Sequence, residues 1–332
     1  MARTTGFARF AWGLLAYDVG VAAWGAYVRA TGSGAGCGRH WPLCNGEVVP
    51  RAPRIETLVE LSHRISSGVA LGATLVLLGW ALRAYPARHV VRRGAAFAAA
   101  FMAAEALIGA ALVLFALVAH NASSTRVLSV SLHLVNTFLL LGSTALTAWW
   151  AAGGGRIRLR GQGAVAWATL LPLAAVLAVG TTGALTALGD TLFPSANLAA
   201  GIAQDFESGA PWLVRLRAFH PILAAATALL VVLAAPFVRA RRPGRAAGLF
   251  SRASVALVVL QVAAGLLDVA SLAPVWVQLV HLVLADAVWI ALVLGGAAAL
   301  SAEAGLPSRP LPPPERAPQG LRGGLGEQEG EA

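Results

Sequence analysis

Residues 58–82 read LVELSHRISSGVALGATLVLLGWAL, an apolar run with Glu60, His63 and Arg64 near its start and Arg83, Arg88, Arg92 and Arg93 after its end. The run exceeds the roughly 20 residues that carry an α-helix across hydrocarbon. Its Ala, Leu, Val and Gly lack the alternation of an outer-membrane strand, so a continuous helix is expected. A histidine within such a helix is costly unless it is paired, solvated or bound to metal.

Similar runs flank it, and together they predict eight spans at 7–28, 58–82, 94–118, 128–150, 163–187, 216–238, 253–273 and 275–300, with Pro172 a source of a kink in the fifth. The composition agrees: 58% of the 332 residues are hydrophobic and 12% charged, too few charges for an ordinary soluble domain. The net charge of +10 does not point to nucleic acid, because the arginines sit in short linkers between apolar runs; lysine is absent. Arg83 to Arg93, Arg156 to Arg160 and Arg239 to Arg252 follow the second, fourth and sixth spans, which places these linkers and both termini in the cytoplasm. The fold class expected is an all-α polytopic membrane protein of a bacterial inner or plasma membrane, with two pseudo-symmetric four-helix bundles. Residues 1–152 form the first bundle, including an outer loop at 29–57; 153–162 link it to a second bundle at 163–300, and 301–332 form a disordered cytoplasmic tail.

Four of the seven histidines, His63, His133, His220 and His281, fall near the outer ends of the even-numbered spans, one pair in each half. Two neutral imidazoles at similar depth on facing helices can fill both axial positions of a haem iron, and a four-helix bundle can enclose the porphyrin. Interhelical hydrogen bonding is the plainer alternative. A compact zinc or copper site is less suited, since neither pair has the carboxylates and cysteines to complete a first shell. His40, His89 and His120 suit solvated or interfacial roles.

Glu60 precedes His63 by three residues and shares its helix side, where it serves either as a proton-handling carboxylate or as an ion-pair partner of Arg64 or Arg54. Cys37 and Cys44, seven positions apart in the Gly-rich outer loop, suit a short-loop disulfide acting as a structural clasp or as a reversible thiol pair. Gly189 to Pro194 mark a helix entering an outer turn, with Asp190 capping or bridging. Asp18, Glu105, Gln261, Asp268 and Asp286 lie within spans and require polar partners, which neighbouring helices are expected to supply.

The segment Tyr27 to Gly46, the pattern Glu60-x-x-His63-Arg64, His133, Gly189-Asp190-Thr191-Leu192-Phe193-Pro194, Phe219-His220, and Gln261-x-x-x-Gly265 followed by His281 together resemble the haem A synthase (CtaA-like) family over roughly residues 8–300. That resemblance implies a haem O oxidoreductase that converts a methyl substituent of haem O to a formyl group through hydroxylated states, yielding haem A for cytochrome c oxidase. It implies that His220 and His281 ligate a resident haem b, that His63 and His133 receive haem O, that Glu60 is the catalytic carboxylate, and that Cys37 and Cys44 are an outer-loop redox pair. The partners implied are a haem O synthase, cytochrome c oxidase assembly factors, a membrane electron donor or acceptor and a thiol-disulfide oxidoreductase, with a homo-oligomer as a further expectation. The competing reading is a membrane di-haem b electron carrier that exchanges electrons with quinone; a haem transport module is another.

Overall fold

The computed structural model describes residues 5–301, and the tail expected to be disordered lies, from residue 302 on, outside the described residues. Ser301 itself closes the last helix. The chain runs as α1 (Gly6–Ala30), a 3-10 turn (Ser33–Ala35), α2 (Ile55–Ala84), α3 (Val90–Leu114), α4 (Ser124–Ala151), α5 (Ala164–Leu192), α6 (Leu198–Phe206), α7 (Trp212–Arg215), a second 3-10 turn (Leu216–Ala218), α8 (Phe219–Arg241), α9 (Arg245–Ala270) and α10 (Val275–Ser301). This is an all-α polytopic membrane architecture in which seven helical segments are long and apolar enough to cross a bilayer: α2 to α5, the run Trp212–Arg241 that joins α7, the second 3-10 turn and α8, and α9 and α10. The eighth long helix, α1, is diluted by Arg9, Asp18, Arg29 and two tryptophans.

Side chains set several helix ends. Thr5 accepts from the Ala8 N–H, Ser123 from Arg126 and Asn197 from Ala200, each satisfying a first-turn donor that has no partner within the helix. After α4, Gly153 adopts a left-handed φ of 93°, and Gly153 and Gly154 donate back to Trp150 and Trp149; a side chain would strain that exit.

Several expected boundaries shift. The third span begins at Val90 and ends at Leu114, the fifth extends to Leu192, and the seventh begins at Arg245. At the starts of α3 and α9 backbone hydrogen bonding continues into arginine-containing flanks, because Arg is a good helix former whose head reaches water while its stem stays on apolar surface. The stretch 188–215, between the fifth and sixth expected spans, contains the end of α5 and the short helices α6 and α7. α5 remains one helix through Pro172, and α8 likewise contains Pro236.

α1 packs on α2 and α4, with α3 between α2 and α4; α5 packs on α8 and α10, with α9 between α8 and α10. The two sets meet where α4 and α1 contact α10 and α5. Leu15, Phe138, Leu141, Ala145, Val176 and Val288 form the core of this junction. The Trp289 ring stacks on Phe138 at 5.3 Å, and its indole N–H donates to the Phe138 carbonyl at 2.6 Å. Outward-facing Leu75, Phe97, Leu107, Leu233 and Leu266 are exposed, as expected where lipid rather than water is the neighbour.

Candidate functional site: paired histidines beneath a clamped outer loop

His63, His133, His220 and His281 all lie in the first three turns of their helices, α2, α4, α8 and α10, and all are half-buried. Three rest against glycine on a neighbouring helix. A Cβ at Gly25 of α1 would fall 3.0 Å from His63 Cε1, one at Gly183 of α5 3.0 Å from His220 Cε1, and one at Gly265 of α9 3.0 Å from His281 Cε1. Glycine at these positions lets an imidazole lie against helix backbone.

The fourth histidine is held differently. His133 Nδ1 lies 2.5 Å from Glu105 Oε2 on α3, and the Thr137 hydroxyl donates to the other Glu105 oxygen. One turn before Glu105, the Phe101 carbonyl accepts from Asn136 at 2.8 Å, fixing α3 against α4. His63 Nδ1 is buried without a hydrogen-bond partner.

In the second set, the His220 and His281 ring centres are 6.4 Å apart with planes at 85°. His220 Nδ1 meets the Thr182 hydroxyl at 3.1 Å, while the Gln261 side-chain amide nitrogen meets His281 Nε2 at 3.2 Å. Among the described residues no group of three or more His, Cys, Asp or Glu is gathered as a metal cluster.

Above the first pair, Cys37 and Cys44 are joined, with Cα atoms 4.3 Å apart, and both are buried. A partner thiol therefore reaches either sulfur only after the loop opens. The loop is fastened to α2 by Glu60, whose Oε2 accepts from the Cys37 N–H at 2.8 Å and whose Oε1 accepts from Arg64 at 2.5 and 3.1 Å. Arg64 also donates to the His40 and Leu43 carbonyls at 2.7 Å, so the ion pair expected with Arg64 or Arg54 forms with Arg64. Thr57 donates to the Gly36 carbonyl at 2.8 Å, and a Cβ at Gly36 would run into the Glu56 carbonyl.

A second acid and arginine set fastens the outer segment over His220. Arg217 pairs with Asp190 and Asp205 at 2.8 Å and donates to Gln204 at 3.1 Å, which gives Asp190 the bridging role expected of it. Arg29 at the end of α1 reaches the other set, donating to the Ala187 carbonyl, Thr191 and Gln278 at 2.8 to 3.0 Å.

Partners expected for the other intramembrane polar residues are only partly present. Both carboxylate oxygens of Asp18 and of Asp286 are buried without hydrogen-bond partners, as is one oxygen of Asp268. Neither His89 nor His40 joins the pairs: His89 caps α3 through Nδ1 and stacks on Tyr85, and the His40 carbonyl helps anchor the loop. His120, expected at the outer end of the third span, is exposed in the turn between α3, which ends at Leu114, and α4.

The fold and these contacts define a polytopic helical membrane protein with a facing His220/His281 pair and with His63 and His133 at the corresponding ends of α2 and α4. The chain belongs to the COX15-CtaA family, described as cytochrome oxidase assembly protein, whose profile matches residues 8–293. It is 50% identical over 293 residues to proteins from two strains of Thermus thermophilus, each named protoheme IX farnesyltransferase; the match covers 88% of this chain and 48% of theirs. The chain thus spans about half the length of those curated relatives. It is also 46% identical over 93 residues to proteins named heme A synthase from Bacillus mycoides and Bacillus cereus, covering 27% of this chain and 29% of theirs.

Proposed function

We propose that the protein is a haem A synthase, an oxidoreductase that takes haem O to haem A through hydroxylated states for cytochrome c oxidase. Converting a methyl to a formyl group removes two hydrogens from the carbon and installs one oxygen atom, a four-electron oxidation (R–CH3 + H2O → R–CHO + 4 H+ + 4 e−, or R–CH3 + O2 → R–CHO + H2O with oxygen as the oxidant), so the site must hold a porphyrin edge, limit the entry of bulk water and exchange electrons. The observation that carries the reading is the perpendicular His220/His281 pair in a chain of this family: a metal about 2 Å from one nitrogen of each imidazole would set ring centres roughly 6 Å apart, close to the 6.4 Å found. The glycine faces beside His63, His220 and His281 further support the reading by letting three of the four imidazoles seat against helix backbone.

In this reading residues 1–152 and 163–300 are two four-helix units of an eight-crossing protein, joined by 153–162, with both termini cytoplasmic. His220 and His281 hold haem b, which supplies one-electron exchange. For His281 Nε2 to serve, the Gln261 amide beside it must turn away. His63 and His133 seat haem O as substrate. Glu60, one turn from His63, is the candidate catalytic carboxylate; both its oxygens are engaged, so accepting a proton requires release of Arg64 or of the Cys37 N–H. The Cys37–Cys44 loop, held by Glu60 and Arg64, covers the outer end of this unit and limits water entry. Its disulfide acts as a clasp that a thiol-disulfide oxidoreductase would open. A haem O synthase would supply the substrate, oxidase assembly factors would take the product, and a membrane electron carrier and a second copy of the chain complete the proposed partners. The farnesyltransferase name of the Thermus relatives is not carried over, because it describes chains of which the matched residues are 48%.

The test is to supply the purified full-length protein with haem O, oxygen and a reducing system, then extract and separate the haems. Hydroxylated haem O and haem A are the expected products. Recovery of unaltered haem O alongside reversible quinone-linked reduction of the bound haem would instead establish an electron carrier.

A further inference from the structure

The two halves repeat a pattern on the helix that precedes each second histidine: Glu105-Ala106-Leu107-Ile108-Gly109 on α3 and Gln261-Val262-Ala263-Ala264-Gly265 on α9. The first residue of each reaches the histidine of the next helix, but the chemistry differs. Glu105 presents a carboxylate to His133 Nδ1, leaving Nε2 free of hydrogen bonds, whereas Gln261 presents a neutral amide to His281 Nε2. The glycines differ too: Gly265 supports the His281 ring, while Gly109 has nothing within 4 Å, so the ring of His133 is held by the carboxylate. Thr137 and the Asn136–Phe101 bond keep that carboxylate in place. His63, the other member of the first pair, has no partner on Nδ1.

We infer that Glu105 is a positioning residue that pins His133 as the fixed axial ligand of the substrate haem and leaves His63 as the exchangeable one. This inference rests on the proposed haem seat between His63 and His133. A carboxylate accepting from Nδ1–H fixes the tautomer with Nε2 toward a metal and raises the basicity of the ring, and loss of such a partner costs about 10- to 100-fold in metal affinity. With no partner on Nδ1, His63 is packed on Gly25 but is neither fixed in one tautomer nor made more basic, so it can leave and return while the porphyrin stays on His133. The second half, with a neutral amide in the corresponding register, has no such strengthened ligand.

The experiment uses the full-length protein loaded with haem O, comparing wild type, His63→Ala, His133→Ala, Glu105→Gln and the double variant His63→Ala/Glu105→Gln. The expected result is that His63→Ala retains haem O as a five-coordinate ferrous species and His133→Ala does not. Glu105→Gln should weaken retention about 10- to 100-fold. The iron–histidine stretching band of ferrous His63→Ala should move to lower frequency in the double variant, a change that mere loosening of the fold does not produce. Glu105→Asp, which keeps the carboxylate, should restore part of the shift. Haem O held by His133 with an unchanged band and unchanged affinity in the Glu105 variants overturns the inference but leaves the haem seat standing. Haem O retention that depends on neither His63 nor His133 overturns the seat itself. If Glu105→Gln yields too little folded protein, Glu105→Ala in the His63→Ala background, which also removes the carboxylate, decides: an unshifted band together with equal affinity overturns the assignment.

Discussion

The most constrained polar group in the first half is the Glu60–Arg64 pair, with side-chain exposures of 4% and 12%. Four contacts converge there: Cys37 N–H on one carboxylate oxygen, the guanidinium on the other, and two loop carbonyls on Arg64. Removing one member of a buried pair leaves the other charge uncompensated, at a cost of about 3–5 kcal/mol. Arg64→Met is therefore expected to lower stability by about that amount and to speed proteolysis within residues 38–54. Arg64→Lys should fall between the two, because an ammonium cannot reproduce the planar fork that meets carboxylate and carbonyls together. Limited proteolysis and thermal unfolding in detergent provide the readouts, and equal cleavage rates in wild type and Arg64→Met would remove the clamp from the account. Glu60→Gln separates chemistry from support: an amide oxygen still accepts from Cys37 N–H, so lost haem conversion with a protease-resistant loop would place Glu60 in proton handling.

At the level of helices, glycine marks where a ring needs room. Gly20 and Gly25 both lie on α1; a Cβ at Gly20 meets nothing within 4 Å, whereas one at Gly25 would press on His63. Gly20→Ala should be neutral or stabilising by about 0.5–1 kcal/mol, through reduced freedom of the unfolded backbone. Gly25→Val should displace the imidazole and reduce haem retained by the first pair, while haem held by His220 and His281 persists; loss of both haems together, or of neither, would contradict a local packing role. The long helices were legible in the sequence because each is a continuous apolar run. The ends were less so, since apolarity ends at the lipid boundary while hydrogen bonding continues, as in α9 from Arg245. The short α6, at Leu198–Phe206, has too few residues to register as a span, and its N-cap Asn197 reads equally well as loop. The four histidines stood out because imidazole is rare in apolar runs. The Gly25, Gly183 and Gly265 faces did not, because spacing alone does not say which neighbouring helix a glycine meets. Asp18 and Asp286 show the opposite failure: burial demanded partners that the surrounding side chains do not provide.

Over the whole molecule, charge and packing divide the two ends of the bundle. At one end, the segments 83–93, 152–163 and 239–252 carry arginines and no Asp or Glu. Contacts tie that end together: Arg242 donates to Gln162 and to the Ala299 carbonyl, and the Arg158 N–H donates to Leu300. At the other end, Arg64 and Arg217 are paired with Glu60, Asp190 and Asp205, so much of the positive charge there is compensated internally. Arginines without local acids are the ones that resist translocation and favour the anionic cytoplasmic leaflet, at about 1 kcal/mol per basic residue near the surface. The paired arginines of the outer segments are offset by neighbouring carboxylates and form part of the folded clamps. In intact cells a membrane-impermeant maleimide should label Ser208→Cys, on the exposed segment between α6 and α7, and should label Arg160→Cys only after permeabilisation. Ser208 lies far along the chain from Cys37 and Cys44, which limits exchange with the native pair. Labelling of Arg160→Cys in intact cells at the Ser208→Cys rate would invert the orientation, putting the clamped loop and both histidine pairs toward the cytoplasm, where reducing conditions would work against a lasting Cys37–Cys44 bond.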